Sequence, residues 1–202
     1  MFVIVRHGNT FAAGEPPRRI GARTDLPLTE AGRMQAQALG THFSEKGWRF
    51  GRALVAPLGR TRETAEVILA QQDAAPSAEV STWLREIDHG PDEDQYEEAV
   101  LARIGQEALD AWDKRGEPPR GWIVDAEVRK AAWRALFAAP SQVAPTLIVT
   151  SNGAARFALL ADPALAAALP KLDSLKLPTG GYGVICRGPD GKLAVPVWGK
   201  RP

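Results

Sequence analysis

Apolar positions along this chain fall into two alternating kinds of run. Short, continuous, β-branched stretches, VIV at 3–5, ALVA at 53–56 and TLIVT at 146–150, have the length and composition of buried strands. Between them, apolar residues recur at the spacing of one helix face: Leu28, Ala31, Met34, Ala38 and Leu39 in LTEAGRMQAQALGTHFSEKG, with Thr29 as N-cap, and Ala65, Ile68 and Leu69 in RTRETAEVILAQ at 60–71. The pattern predicts a third strand around Val80–Trp83, a helix near Glu97–Trp112, a Pro-rich break at EPPRGW and a helix near Ala126–Phe137. SNGAARFALLA reads as a turn from TLIVT into a helix, and YGVICRG with LAVPVWG as a terminal hairpin about Pro189-Asp190-Gly191. Strands alternating with helices in this way predict a three-layer α/β/α fold with a mostly parallel sheet. We expect one domain over residues 1–202, with a helical cap inserted at about 88–140 over one end of the sheet.

Composition narrows the partners. With 25 basic and 24 acidic residues and no long basic run, nothing in the chain tracks a nucleic-acid backbone. A single cysteine, Cys186, excludes an internal disulfide framework and paired-cysteine zinc sites, and fits a reducing compartment. No apolar run approaches the ~18 residues of a membrane span, and the start of the chain has no basic-then-apolar leader pattern. The expectation is a soluble, unprocessed, cytoplasmic protein with no membrane or nucleic-acid partner.

Candidate chemistry sits where strands stop. VIV ends on Arg6, His7 and Gly8, at the carboxyl edge where open α/β sheets bind ligands. Arg60 follows the second strand at the start of a helix, where a cation is unfavourable unless an anion binds there. Glu86 follows the third strand, and Ser151-Asn152-Gly153 follow TLIVT. A histidine between arginine forks and helix amino termini suits a phosphate, and a nearby carboxylic acid is placed to protonate a leaving alkoxide.

RHG after a first strand, TDLPLTEAGRMQA next, APLGRTRETA after the second strand and LREIDHG after the third together resemble the histidine phosphatase superfamily, in its phosphoglycerate-mutase-like branch. The resemblance runs over at least residues 2–160. It implies a phosphoglycerate-mutase-like fold, His7 as the nucleophile that carries the phosphoryl group, Arg6 and Arg60 as phosphate ligands, and Glu86 as general acid. Asn9, Ser151 and Asn152 are taken with them as substrate-binding residues; neither metal nor cofactor is implied.

Two departures stand against that pattern. The family places a second histidine after its last central strand, whereas VTSNGAAR brings Ser151 to that position; an asparagine six residues beyond the first histidine is replaced by Ala13. Losing one preorganised donor typically costs roughly 100- to 1000-fold in rate. The expected function is hydrolysis of a small phosphomonoester through phosphohistidine, with reduced activity. The alternatives are an inactive phosphate-ester-binding protein and a mutase-type phosphoryl transferase. His42 is expected as a surface or packing residue. His89 reads either as a ring filling an aromatic position or as a substitute phosphate donor. The six tryptophans are expected in core or cap packing, and DEDQYEE as a solvated helix entrance.

Overall fold

Strand β1 (Phe2–Arg6) is buried at its three central positions because it lies inside the sheet, with neighbours on both sides. The structure, a computed structural model, describes residues 1–140, 143–172 and 174–202. The remaining strands are β2 (Arg52–Val55), β3 (Ala78–Val80), β4 (Thr146–Thr150), β5 (Tyr182–Arg187) and β6 (Leu193–Lys200), in the spatial order β3-β2-β4-β1-β5-β6. The pairs β3/β2, β2/β4 and β4/β1 are parallel, whereas β1/β5 and β5/β6 are antiparallel, so the sheet is mostly parallel with an antiparallel hairpin at one edge.

Alternate side chains of the central strands feed two cores, as the period-two geometry of a strand requires. Val3, Val5, Ala53, Val55, Leu147 and Val149 meet Leu39 and Phe43 of α1 (Glu30–Glu45) and Ala65 and Ile68 of α2 (Gly59–Leu69). Ile4, Leu54 and Ile148 point the other way, towards Trp112 of α3 (Glu97–Arg115), Trp133 of α4 (Ala126–Ala138) and Phe157 of α5 (Asn152–Leu160). A short α6 (Pro163–Ala166) follows. Thr29 caps α1, its side chain accepting from the Gly32 amide. No helix among the described residues is long and apolar enough to cross a membrane.

Three expectations require correction. The third strand ends at Val80 instead of continuing to Trp83: β3 is an exposed edge strand, and Thr82–Leu84 turn as a 3-10 helix that carries Leu84 into the core. Helix α3 runs three residues beyond Trp112 to a left-handed cap at Gly116, and is interrupted at Gly105 (φ 78°, ψ 162°). The acidic DEDQYEE segment is not uniformly solvated. Asp92 is buried, accepting from Trp122 Nε1 at 2.7 Å and paired with Arg103, while the Glu93 side chain is only 6% exposed.

Beneath the site, backbone meets backbone. A Cβ on Gly8 would stand 2.2 Å from the Gly32 carbonyl oxygen, and one on Gly32 would stand 2.3 Å from the Asn9 carbonyl oxygen. The end of β1 is thus pressed against the first turn of α1, and neither surface has a side-chain tip that can swing aside. Gly8→Ala is expected to cost about 3 kcal/mol, at the upper end of overpacking penalties. Urea unfolding midpoints would measure it; a loss within about 1 kcal/mol, on the order of an ordinary surface substitution, would show that the two segments separate easily.

Candidate active site

His7 lies at the carboxyl end of β1 and is 3% exposed. Its Nδ1 is 2.8 Å from its neighbour's carbonyl, Gly8 O, and can only donate there. The ring proton therefore sits on Nδ1 and leaves Nε2 unprotonated, as an acceptor. An independent contact agrees: Arg60 Nε donates to His7 Nε2 at 3.2 Å. Burial first, then the positive charges of Arg60 and Arg6, hold the His7 pKa well below the ordinary histidine range. The ring is neutral at neutral pH, with the nitrogen that would act as nucleophile turned towards an arginine.

Arg60 enters from the first turn of α2 and is fully buried. Nη1 donates to Thr24 O at 2.6 Å and lies 3.5 Å from Asp25 Oδ1, while Nη2 donates to Gly21 O at 3.1 Å. Burial lowers its pKa, opposed by Glu86, Asp25 and Glu93. Arg6 is anchored through Nη1 to Leu177 O at 2.9 Å, and its buried Nε has no partner among the described residues. Burial brings its pKa down to about 10, still far above neutrality.

Glu86 follows the 3-10 turn after β3. Its Oε1 accepts from the Ile87 amide at 2.9 Å and its Oε2 from the Gly153 amide at 3.0 Å, which ties the carboxyl group to the amino terminus of α5. Gly153 has no spare room: a Cβ there would stand 2.4 Å from Glu86 Oε1. The glycine after Ser151-Asn152, read in the sequence as a turn, is needed for the approach of this carboxyl group.

Arg6, His7 and Glu86 open on a cavity of about 460 Å³ whose lining also includes Asn9, His89 and Asn152, while Arg60 lies behind His7 and is not among the lining residues. Asn152 Oδ1 accepts from the Leu177 amide at 3.0 Å, so one residue, Leu177, braces both Asn152 and Arg6. Ser151 is placed differently. It is the N-cap residue of α5, fully buried, with its Oγ unpartnered among the described residues, and it is not among the cavity-lining residues. Ala13 is exposed. His42 packs away from the cavity against Tyr182, with Nε2 2.8 Å from the phenolic oxygen. His89 does line the cavity, its ring edge-on to Trp122 with centroids 4.6 Å apart.

Arg18, Arg19 and Arg156 line the cavity and escaped the sequence reading, and the side chains of Arg156 and Arg19 stack on tryptophans. Arg156 of α5 is 1% exposed, lies 3.9 Å over the Trp112 ring and donates to Trp112 O. Arg19 lies over Trp122 and pairs with Glu97. The Nε atoms of Arg156 and Arg19, with Arg6 Nε, His89 Nδ1 and Ser151 Oγ, are the buried side-chain polar atoms without a hydrogen-bond partner among the described residues. All but Ser151 Oγ belong to cavity-lining residues, so the molecule's unmet hydrogen-bonding capacity is concentrated at one place. The available sequence signal was the four-residue step from Asn152 to Arg156, which puts both on one helix face.

The carboxyl ends of the parallel strands and the turns after them thus bring together a neutral histidine, two arginines and a carboxyl group. The chain belongs to the histidine phosphatase superfamily (branch 1), whose family model matches residues 2–197. A curated relative, the Escherichia coli protein designated "Probable phosphoglycerate mutase GpmB", is 43% identical over 65 residues, a segment covering 32% of this chain and 28% of that protein. The same fold is seen in the mycobacterial glucosyl-3-phosphoglycerate phosphatase (20% identity, TM-score 0.76, covering 100% of this chain and 99% of that one). It is seen also in the alpha-ribazole phosphatase of Shigella flexneri (21% identity, TM-score 0.71, covering 99% and 96%).

Proposed function

We propose that this protein hydrolyses a small phosphomonoester through a phosphohistidine formed at His7 Nε2. The observation that carries this reading is the pair of contacts that leave Nε2 as a lone pair: Nδ1 on Gly8 O and Arg60 Nε on Nε2. In the first step the Nε2–P bond forms as the bond from phosphorus to the leaving oxygen breaks, and Glu86 passes its carboxyl proton to that oxygen. In the second, water attacks phosphorus, the N–P bond breaks, and the water's proton returns to Glu86. Arg6 and Arg60 offset charge on the equatorial oxygens throughout, the usual source of most of the rate in phosphoryl transfer.

Hydrolysis is preferred to mutase chemistry because a mutase must hold and return the phosphoryl group, and a fully buried serine stands where the family places its second histidine. The fully buried, unpartnered Ser151 also supports a slow enzyme. The free Nε edges of Arg19 and Arg156 favour a substrate with hydrogen-bond acceptors beyond the phosphoryl group. The working compartment is proposed as cytoplasmic, on the strength of the single cysteine.

The test is turnover of 4-nitrophenyl phosphate combined with intact-mass detection of one added phosphoryl group. Turnover with a transient adduct supports hydrolysis, a stable adduct that transfers only to a second hydroxyl supports a mutase, and binding without either supports a phosphate-ester receptor. Glu86→Gln sharpens the assignment. Alkyl phosphates, which need a proton at the leaving oxygen, are expected to slow about 100-fold or more, and aryl phosphates less than about 10-fold. Equal losses on both would remove Glu86 from the acid role.

A further inference from the structure

Glu93 accepts hydrogen bonds from two loops, one of which contacts Arg60 and the other of which carries Glu86. Its Oε1 accepts three hydrogen bonds from one short segment: the Gly21 amide at 2.9 Å, the Arg23 amide at 3.0 Å and the Thr24 hydroxyl at 2.9 Å. Its Oε2 accepts from the His89 amide at 3.1 Å, in the loop that carries Glu86. The same segment turns the carbonyls of Gly21 and Thr24 onto Nη2 and Nη1 of Arg60, and the Nε of that guanidinium meets His7 Nε2. The fit leaves no slack: a Cβ on Gly21 would stand 2.4 Å from Glu93 Oε2 and 2.5 Å from His89 Nδ1.

We propose that Glu93 is a positioning residue for phosphoryl transfer, acting through the Gly21–Thr24 segment to fix the plane of Arg60 against His7. Arg60 is a planar fork on a long, flexible stem, and two Nη atoms held by fixed carbonyls leave it one orientation. Glu93 suits the task because it stays charged. Burial pushes its pKa up, but the nearby His89 ring, with hydrogen bonds from the His89 amide, the Thr24 hydroxyl and the Arg23 amide, outweighs this and holds it at about 2. A neutral amide would present an NH₂ group to donors on one side or the other, so at least one N–H would lose its acceptor. The loop itself is held without Glu93, since Ala22 N donates to Ile87 O at 2.8 Å and Arg85 Nε to Ala22 O at 3.1 Å. Glu93→Gln is therefore expected to fold and to loosen the aim of Arg60.

The kinetic part of this inference rests on the proposed phosphatase activity, and the experiment has an arm that does not. In a double-mutant cycle on 4-nitrophenyl phosphate, Glu93→Gln is expected to lower kcat roughly 10- to 100-fold in the natural background, the scale of a small misplacement of a catalytic group. In an Arg60→Ala background the same change is expected to cost less than about 3-fold, because residues acting as a unit are not additive. Equal losses in both backgrounds would make Glu93 a general structural residue and overturn the proposal. The second arm follows the Arg60 Nε–H signal by nitrogen-proton NMR in the ligand-free protein. Slow solvent exchange in the natural protein that is lost in Glu93→Gln supports the proposal, and an unchanged signal overturns it whether or not any ester is turned over. Should Glu93→Gln fail to fold, Thr24→Val removes one of the Glu93 bonds with little change in volume, and its Arg60 signal decides in the same way.

Discussion

His7→Ala is expected to abolish acid-labile phosphoryl labelling and to lower turnover of any phosphomonoester on the order of 10⁴-fold or more, the residue of activity left when a nucleophile is removed from an otherwise intact site. The ring is neutral and buried, its unprotonated nitrogen accepts from Arg60, and the other two histidines have different surroundings. His42 is turned to Tyr182, and His89 is backed by Glu93 and Trp122. Label that persists in His7→Ala, or that maps to His89, would overturn the assignment. The depressed pKa adds a signature in pH. Because Nε2 stays unprotonated, no acid limb in kcat/KM is expected at the ordinary histidine value of about 6.5. Stability behaves oppositely. The unfolded ring takes up a proton below about 6.5 and the folded ring does not, so this group makes the protein less stable as pH falls through that value. His7→Ala should flatten that slope in urea midpoints measured at about pH 5 and 7.5.

Arg60→Lys is expected to lower kcat roughly 100- to 1000-fold despite keeping the charge. The guanidinium binds Gly21 O and Thr24 O with its two Nη atoms and still directs Nε at His7, three directions in one plane. An ammonium is a compact point charge and cannot serve all three. Affinity for orthovanadate should fall with kcat, since both use the same oxygen cradle. An Arg60→Lys variant within about 5-fold of the natural rate would show that only the charge matters, well short of the usual cost of a lost donor.

The sequence was most readable where one element follows another. Val3–Val5 and Leu147–Val149 read as buried strands because they are enclosed on both faces, and the chemistry-bearing residues that follow them lie at the strand ends the parallel topology gathers on one rim. Thr29 and the terminal hairpin were equally plain, being set by local rules. The misses were long-range. Nothing in AEVSTWL announces that β3 is an edge strand too short to hold Trp83, because exposure at an edge is decided by which strands are its neighbours. Asp92 and Glu93 resemble any acidic helix entrance until Trp122, Arg103 and the Gly21 segment arrive from distant parts of the chain. Gly153 has the look of turn chemistry, and only the carboxyl group of Glu86, 67 residues earlier in sequence, supplies the reason for a missing side chain.

The strand order carries a consequence for how the chain assembles. β1 is the earliest strand in sequence, yet Phe2 pairs with Thr146 on one side and Ile185 on the other. Contacts of such separation close late, because the intervening loop entropy must be overcome before the pairing repays it. On a ribosome, Val3, Ile4 and Val5 emerge well before the strands that enclose them and wait, apolar and unpaired, until β4 and β5 have been made. The segment that leads into His7 thus stays open to wrong partners through the synthesis of the residues between β1 and β4, and a nascent chain halted before β4 is a candidate for chaperone capture.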